Sequence, residues 1–140
     1  MTTTAAFVNS FKQELLAMTP HTAADVYKIA LYTDAGATLN KSTTAYTATG
    51  EITGTGYTAG GATLAGFSVT LDTDTAILDW TTDPTWATST ITADTALIYN
   101  SSRSNKAVAV VKFTTATSTA ATFTVQLPAA AAATGIIRIV

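Results

Sequence analysis

Cysteine is missing from this chain altogether, which excludes disulfides, thiolate metal sites and a cysteine nucleophile, and leaves the redox character of its compartment open. Histidine occurs once, as His21, beside the helix stop Thr19–Pro20 and with no carboxylate nearer in sequence than Asp25. With no partner marked for it, His21 reads as an exposed loop or cap residue, not as the base of a triad or a metal ligand. Charge is scarce too, at 11% of residues against roughly 25% in ordinary soluble domains. The seven basic residues, Lys12, Lys28, Lys41, Arg103, Lys106, Lys112 and Arg138, are dispersed and outnumbered by nine acidic ones. A surface that neutralises phosphates is basic and clustered, so nucleic acid is not an expected partner. The longest apolar run, Leu127 to Ala133, contains Pro128 and falls far short of the roughly 18 residues of a membrane span. The opening MTTTAAFVNSFKQELLAM has neither a basic n-region nor a long apolar core, so no signal peptide and no membrane are expected.

Threonine and alanine fill the space that charge leaves. A surface of hydroxyls and methyls gives up charge-based solubility, which is tolerable where partner subunits cover it, and threonine suits a pleated, half-buried strand. The length of 140 residues fits a single domain with a sizeable core.

From Ala5 to Met18, Phe7, Val8, Phe11, Leu15 and Leu16 recur at helical spacing, which predicts an N-terminal amphipathic helix with Thr4 as N-cap and Thr19–Pro20 as its stop. Asp25 to Thr33 alternates as a first strand, and Asp34 to Thr49 reads as a long loop with one possible helical turn from Ser42 to Tyr46. Ala65 to Leu71 and Ala76 to Trp80 form a hairpin about Asp72 to Asp74, with Phe67, Val69 and Leu71 on one face. Thr81 to Thr90 is a turn region around Asp83 and Pro84, with Trp86 packed on a sheet edge. A second hairpin joins Ile91–Asn100 to Lys106–Phe113 through Ser101 to Asn105. A polar linker from Thr114 to Ala121 follows, then a strand from Thr122 to Leu127, an alanine-rich passage and a last strand from Ile136 to Val140. The expected fold is all-β, an antiparallel β-sandwich of jelly-roll-like form, with residues 1–20 as the helix.

Six of the eight glycines lie between Gly50 and Gly66, where Glu51 is the sole charge. As a phosphate cradle the stretch fails, because no Lys followed by Ser or Thr closes it. Gly54, Gly56 and Ala59 meet only the permissive form of a dinucleotide fingerprint, and no helix pattern follows them. It reads as an extended arm or edge whose missing side chains let backbones approach closely, either within its own sheet or against a neighbouring subunit. Gly54, Gly56, Tyr57, Gly60, Gly61 and Trp86 are the candidate interface residues. Asp72, Asp74, Asp79 and Asp83 form the one acidic concentration, but they lack the spacing and the closing glutamate of a calcium loop and read as turn residues. Trp80, Trp86, Tyr57 and Tyr99 suit a sugar-stacking platform or, more simply, core and interface anchors. No metal, cofactor or catalytic group is expected.

Several segments, taken in order, carry a resemblance: NSFKQELL, VYKIALYTDAGATLN, TTAYTATGEITGTGYTAGGATL, ALIYN followed by KAVAVVKF, and the terminal IIRIV. Together they resemble a family of small virion structural proteins of tailed double-stranded DNA bacteriophages, over nearly the whole chain and most specifically in the glycine-rich block. The resemblance implies a particle component made in the host cytoplasm, without enzymatic activity or cofactor. It does not imply a position on the particle. A capsid decoration or cement protein is the reading preferred here, on the capsid surface with the major capsid protein as partner and self-association as a trimer. A tail or head-to-tail component and a carbohydrate-binding or host-surface adhesion module are the alternatives.

Overall fold

A computed structural model describes residues 1–140. In chain order its elements are β1 (Thr3–Phe7), α1 (Asn9–Leu16), β2 (Tyr27–Tyr32), β3 (Ala62–Thr63), β4 (Ala65–Asp72), β5 (Thr75–Thr82), β6 (Thr85–Asn100), β7 (Lys106–Thr124) and β8 (Ile137–Ile139). They form two antiparallel sheets, one of five strands in the order β1-β7-β6-β2-β3 and one of three in the order β4-β5-β8. The all-β, antiparallel expectation holds. Neither sheet has the 4-1-2-3 order of a Greek key, so a two-sheet, sandwich-like arrangement is the description the strand order supports.

The densest sequence signals fold as expected. β2 and the facing halves of β6 and β7 are rich in β-branched and aromatic residues, and Ile29, Ala30, Leu31, Tyr32, Leu97, Ile98, Val108 and Val111 are fully buried. The smaller sheet joins this core through an aromatic cluster. Tyr27 lies 5.3 Å from Phe67 and 5.2 Å from Trp80, ring centre to ring centre.

Two expectations need correction. The helix is shorter than its periodicity suggested, because residues 3–7 pair as a strand with Ala109–Phe113 of β7. Thr4 therefore lies in a strand and Val8 holds the N-cap position with no side-chain hydrogen bond. Backbone pairing with a sheet edge outweighs the weak helix preference of Thr3 and Thr4, whose branched side chains fit a strand better. At its other end α1 closes on Met18, in the left-handed region at φ 57, just ahead of Pro20. The second correction concerns the polar linker from Thr114 to Ala121, which is the middle of β7. Together with most of the Thr81–Thr90 turn region, it makes β6–β7 one long hairpin.

That hairpin has two halves. Next to its turn, Thr95–Asn100 pairs with Lys106–Lys112 on one side and with β2 on the other. Farther out, Thr85–Ala93 pairs with Ala116–Thr124 through two register shifts and, on its other side, has no strand and a single bridge from Thr90 to Thr55, with Thr88 and Ala120 at positive φ (49 and 46). The outward residues there are mostly threonine, while Ser89, Ile91 and Ser118 point inward.

The glycine stretch covers the edge that β2 leaves open. Ile52 N–H donates to the Leu31 carbonyl (3.0 Å), and Thr90 N–H, beyond the end of β2, donates to the Thr55 carbonyl (2.9 Å). No helix of the protein is long and apolar enough to cross a membrane.

Candidate functional site

The candidate interface residues all lie against the chain's own strands. A Cβ on Gly54 would stand 2.4 Å from the Thr90 carbonyl oxygen, and one on Gly56, at φ +80, would stand 2.8 Å from Ser89 Cα. Gly61, at φ +76, would put a Cβ 1.9 Å from the Ile29 carbonyl oxygen. These contacts are too close for any side chain, so the glycines are there to let one backbone lie on another. Tyr57 and Trp86 meet at the outer end, 6.0 Å apart, and Trp86 is buried against Phe123. Gly60 and Gly61 sit at the other end, over Tyr99 and β2.

Glu51 organises this region. Its carboxylate accepts from the hydroxyls of Tyr57 and Tyr46, each at 2.6 Å, and from Gly60 N–H at 2.7 Å. The Tyr57 oxygen in turn accepts Leu31 N–H (2.9 Å), while Tyr99 donates to the Gly60 carbonyl (2.7 Å) and stacks on Tyr46. Burial is the main cause that pushes the Tyr57 hydroxyl far above its ordinary value, with its bond to Glu51 adding to it, and the same two causes take Tyr46 up to about 12. Both phenols stay protonated and serve as donors. One carboxylate thus ties three separate points of the glycine stretch and its preceding loop to β2, with its oxygens occupied by donors. The arrangement is a clamp. Sequence reading missed Glu51 as a hub, although its isolation among glycines and tyrosines was the available signal.

His21 also differs from expectation. Its side chain is 1% exposed, set between Glu14 and Asn100, with the Phe11 ring 4.8 Å away. The linker after Pro20 folds back over α1, which brings Glu14 to a histidine seven residues later. Asn100 Oδ1 accepts Ser102 N–H (3.1 Å), so its amide nitrogen faces Asp25 (2.9 Å) and His21 Nδ1 (3.1 Å). His21 Nδ1 is therefore the acceptor and Nε2 the donor toward Glu14. Both ring nitrogens are occupied, and neither contacts a hydroxyl nucleophile. Lys106 Nζ reaches Glu14 at 3.1 Å, and the Arg103 guanidinium beside Asp25 holds that carboxyl well below the usual carboxylate range. The whole cluster joins helix, linker and hairpin turn.

The four acidic residues from Asp72 to Asp83 are mostly spent on main-chain donors. Asp72 accepts Ala132 N–H, Asp83 accepts Leu127 N–H, and buried Asp79 accepts Trp80 and Ile136 N–H. Burial raises the Asp79 carboxyl above its ordinary value despite those two bonds. Trp80, Trp86 and Tyr99 are buried and Tyr57 is largely so, which leaves no exposed aromatic platform among them.

What lies open is an apolar groove of about 380 Å³ between α1 and the three-stranded sheet. Phe11, Leu15, Phe67, Val69, Leu78 and Ile139 line it, together with His21. Val69, Leu71 and Ile139 beside it are 64%, 72% and 54% exposed. The sequence placed Phe67, Val69 and Leu71 on one strand face but gave no sign that Val69 and Leu71 would stay uncovered. The chain matches no protein-family model, no curated protein and no solved structure.

Proposed function

We propose that this chain is a non-enzymatic structural component of a tailed-phage particle, a capsid decoration or cement protein that binds the major capsid protein from outside. The reading starts from the resemblance carried by the glycine-rich block and the strand segments around it. One structural observation supports it most. The polar groups capable of acid–base chemistry, Glu51, His21, Asp25 and Asp79, are tied up inside the fold, while apolar side chains of β4 and β8 stand in solvent. Chemistry turned inward and apolar surface turned outward suit a protein whose work is adhesion to other subunits. Many modest contacts repeated around a shell add up by avidity, so no single interface need be large.

The test is quantitative mass spectrometry on purified particles of the encoding phage. The account expects a copy number that scales with the capsid lattice, and loss of particle stability when the protein is absent. A few copies per particle would assign it to the tail or the head-to-tail connection instead. The adhesion-module alternative loses support from the burial of Trp80, Trp86 and Tyr99.

A further inference from the structure

Edge strands expose unpaired backbone donors and acceptors, and folded proteins guard them by shortness, bulges, proline or charge. Three of the four sheet edges here are short, with β1 of five residues, β3 of two and β8 of three. The fourth is β4, which has eight residues and runs beside β5 without a register shift. From Ala65 to Leu71 it contains no charge and no proline, none of its side chains is buried, and its outer side has no backbone partner. This is the unguarded edge of the molecule, and its exposed face carries Val69 and Leu71.

We propose that β4 pairs with β4 of a second copy of this chain, antiparallel about a two-fold axis through Val69. The strand's own pattern selects that occupant. Pairing centred on Val69 sets Phe67 against Leu71 of the second copy, Ser68 against Thr70, and Val69 against itself. Apolar residues then meet apolar ones, hydroxyls meet hydroxyls, and the strand's single charge, Asp72, falls opposite Gly66 instead of opposite another carboxylate. The result is one six-stranded sheet, β8-β5-β4-β4-β5-β8, with both apolar grooves on the same side. The contact is isologous and closes on itself, which makes a dimer and not the threefold assembly expected from sequence. Eight residues a side is well below the roughly 20–30 of a standard interface, so the dimer is weak and depends on concentration. This inference is independent of any phage particle.

Sedimentation equilibrium on the purified chain tests it. The average mass should rise from 14.4 kDa toward twice that value as concentration increases from about 10 μM into the hundreds of micromolar. Val69→Lys should hold the one-chain mass throughout with an unchanged melting temperature, since Val69 is exposed in the single chain. Because the chain has no cysteine, Val69→Cys offers a second measurement. Directly opposed strand residues lie within the Cα range of a disulfide, so mild oxidation should yield a covalent dimer. Ala87→Cys, on the outer half of β6, should give none. A wild-type mass of one chain at every concentration, a limit of three chains, undiminished association of Val69→Lys, or equal cross-linking of the two cysteine variants would each overturn the proposal.

Discussion

The two halves of the β6–β7 hairpin share strands, handedness and antiparallel pairing, yet they hold together differently. Near the turn, apolar residues fill both faces and β2 supplies a third strand. In the outer half, threonines face solvent, Ser89 and Ser118 lie inward between Ile91 and the end pair Trp86 and Phe123, and a glycine-rich segment replaces the third strand. Ser89, opposite Ala121, and Ser118, opposite Ile91, bring their hydroxyls 2.8 Å apart there, and Ser89 donates onward to the Ala121 carbonyl. The inner half is held by burial of side chains. The outer half buries Ile91 and, at its far end, Trp86 and Phe123, and between them it relies on backbone contact from a segment that depends on the Glu51 clamp. A strand pair can therefore keep its pairing after its apolar pattern ends, provided another backbone can come close enough to cover the open edge.

The largest expected effect falls in the inner half. Leu97→Ala removes a fully buried side chain and should cost about 4 kcal/mol of unfolding free energy by denaturant titration. Gly56→Val strikes the outer half, where a left-handed backbone and the nearby Ser89 Cα leave no room, and should cost about 3 kcal/mol. This variant sharpens the contrast if amide exchange quickens at Thr90 while Ile98 stays protected. Glu51→Gln replaces a carboxylate acceptor of two tyrosine hydroxyls and one N–H with a group that accepts at only one atom. Its expected cost is about 2 kcal/mol, accompanied by a change in tyrosine absorption as one of the two phenols loses its acceptor. Ser118→Ala is the mildest, at about 1 kcal/mol, because Ser89 keeps its bond to Ala121. A cost as large as that of Leu97→Ala would mean that the outer half is also a packed core and would break the comparison.

The same contrast explains what could be read from the sequence. KAVAVVKF, ALIYN and VYKIALYT are dense in apolar and β-branched residues, and their strands lie where that density placed them. The segment from Thr114 to Ala121 resembles a linker because its one buried residue, Ser118, is small and polar, so a period of two in hydrophobicity never appears. Residues 3–7 share apolar positions with the helix after them, and only pairing with β7 decides between helix and strand. The glycines did signal close backbone approach, with the partner left open between the chain's own sheet and another subunit. Glu51 and His21 gain their roles from Tyr46, Tyr57, Glu14 and Asn100, and His21 meets Asn100 across 79 residues of sequence. A pairing at that separation leaves no local pattern to read, whereas Glu51 lies within six residues of both its tyrosines.

Native-state hydrogen exchange at the Thr90 amide tests the central claim most directly, because that N–H lies on the outer edge of β6 beyond the reach of β2 and bonds only to Thr55 of the glycine stretch. The account expects strong protection in wild type, lost in Gly56→Val while Ile98 remains slow. Exchange of the wild-type Thr90 amide at the rate of an open chain would contradict it, because the glycine stretch would then not be covering the edge of its own sheet.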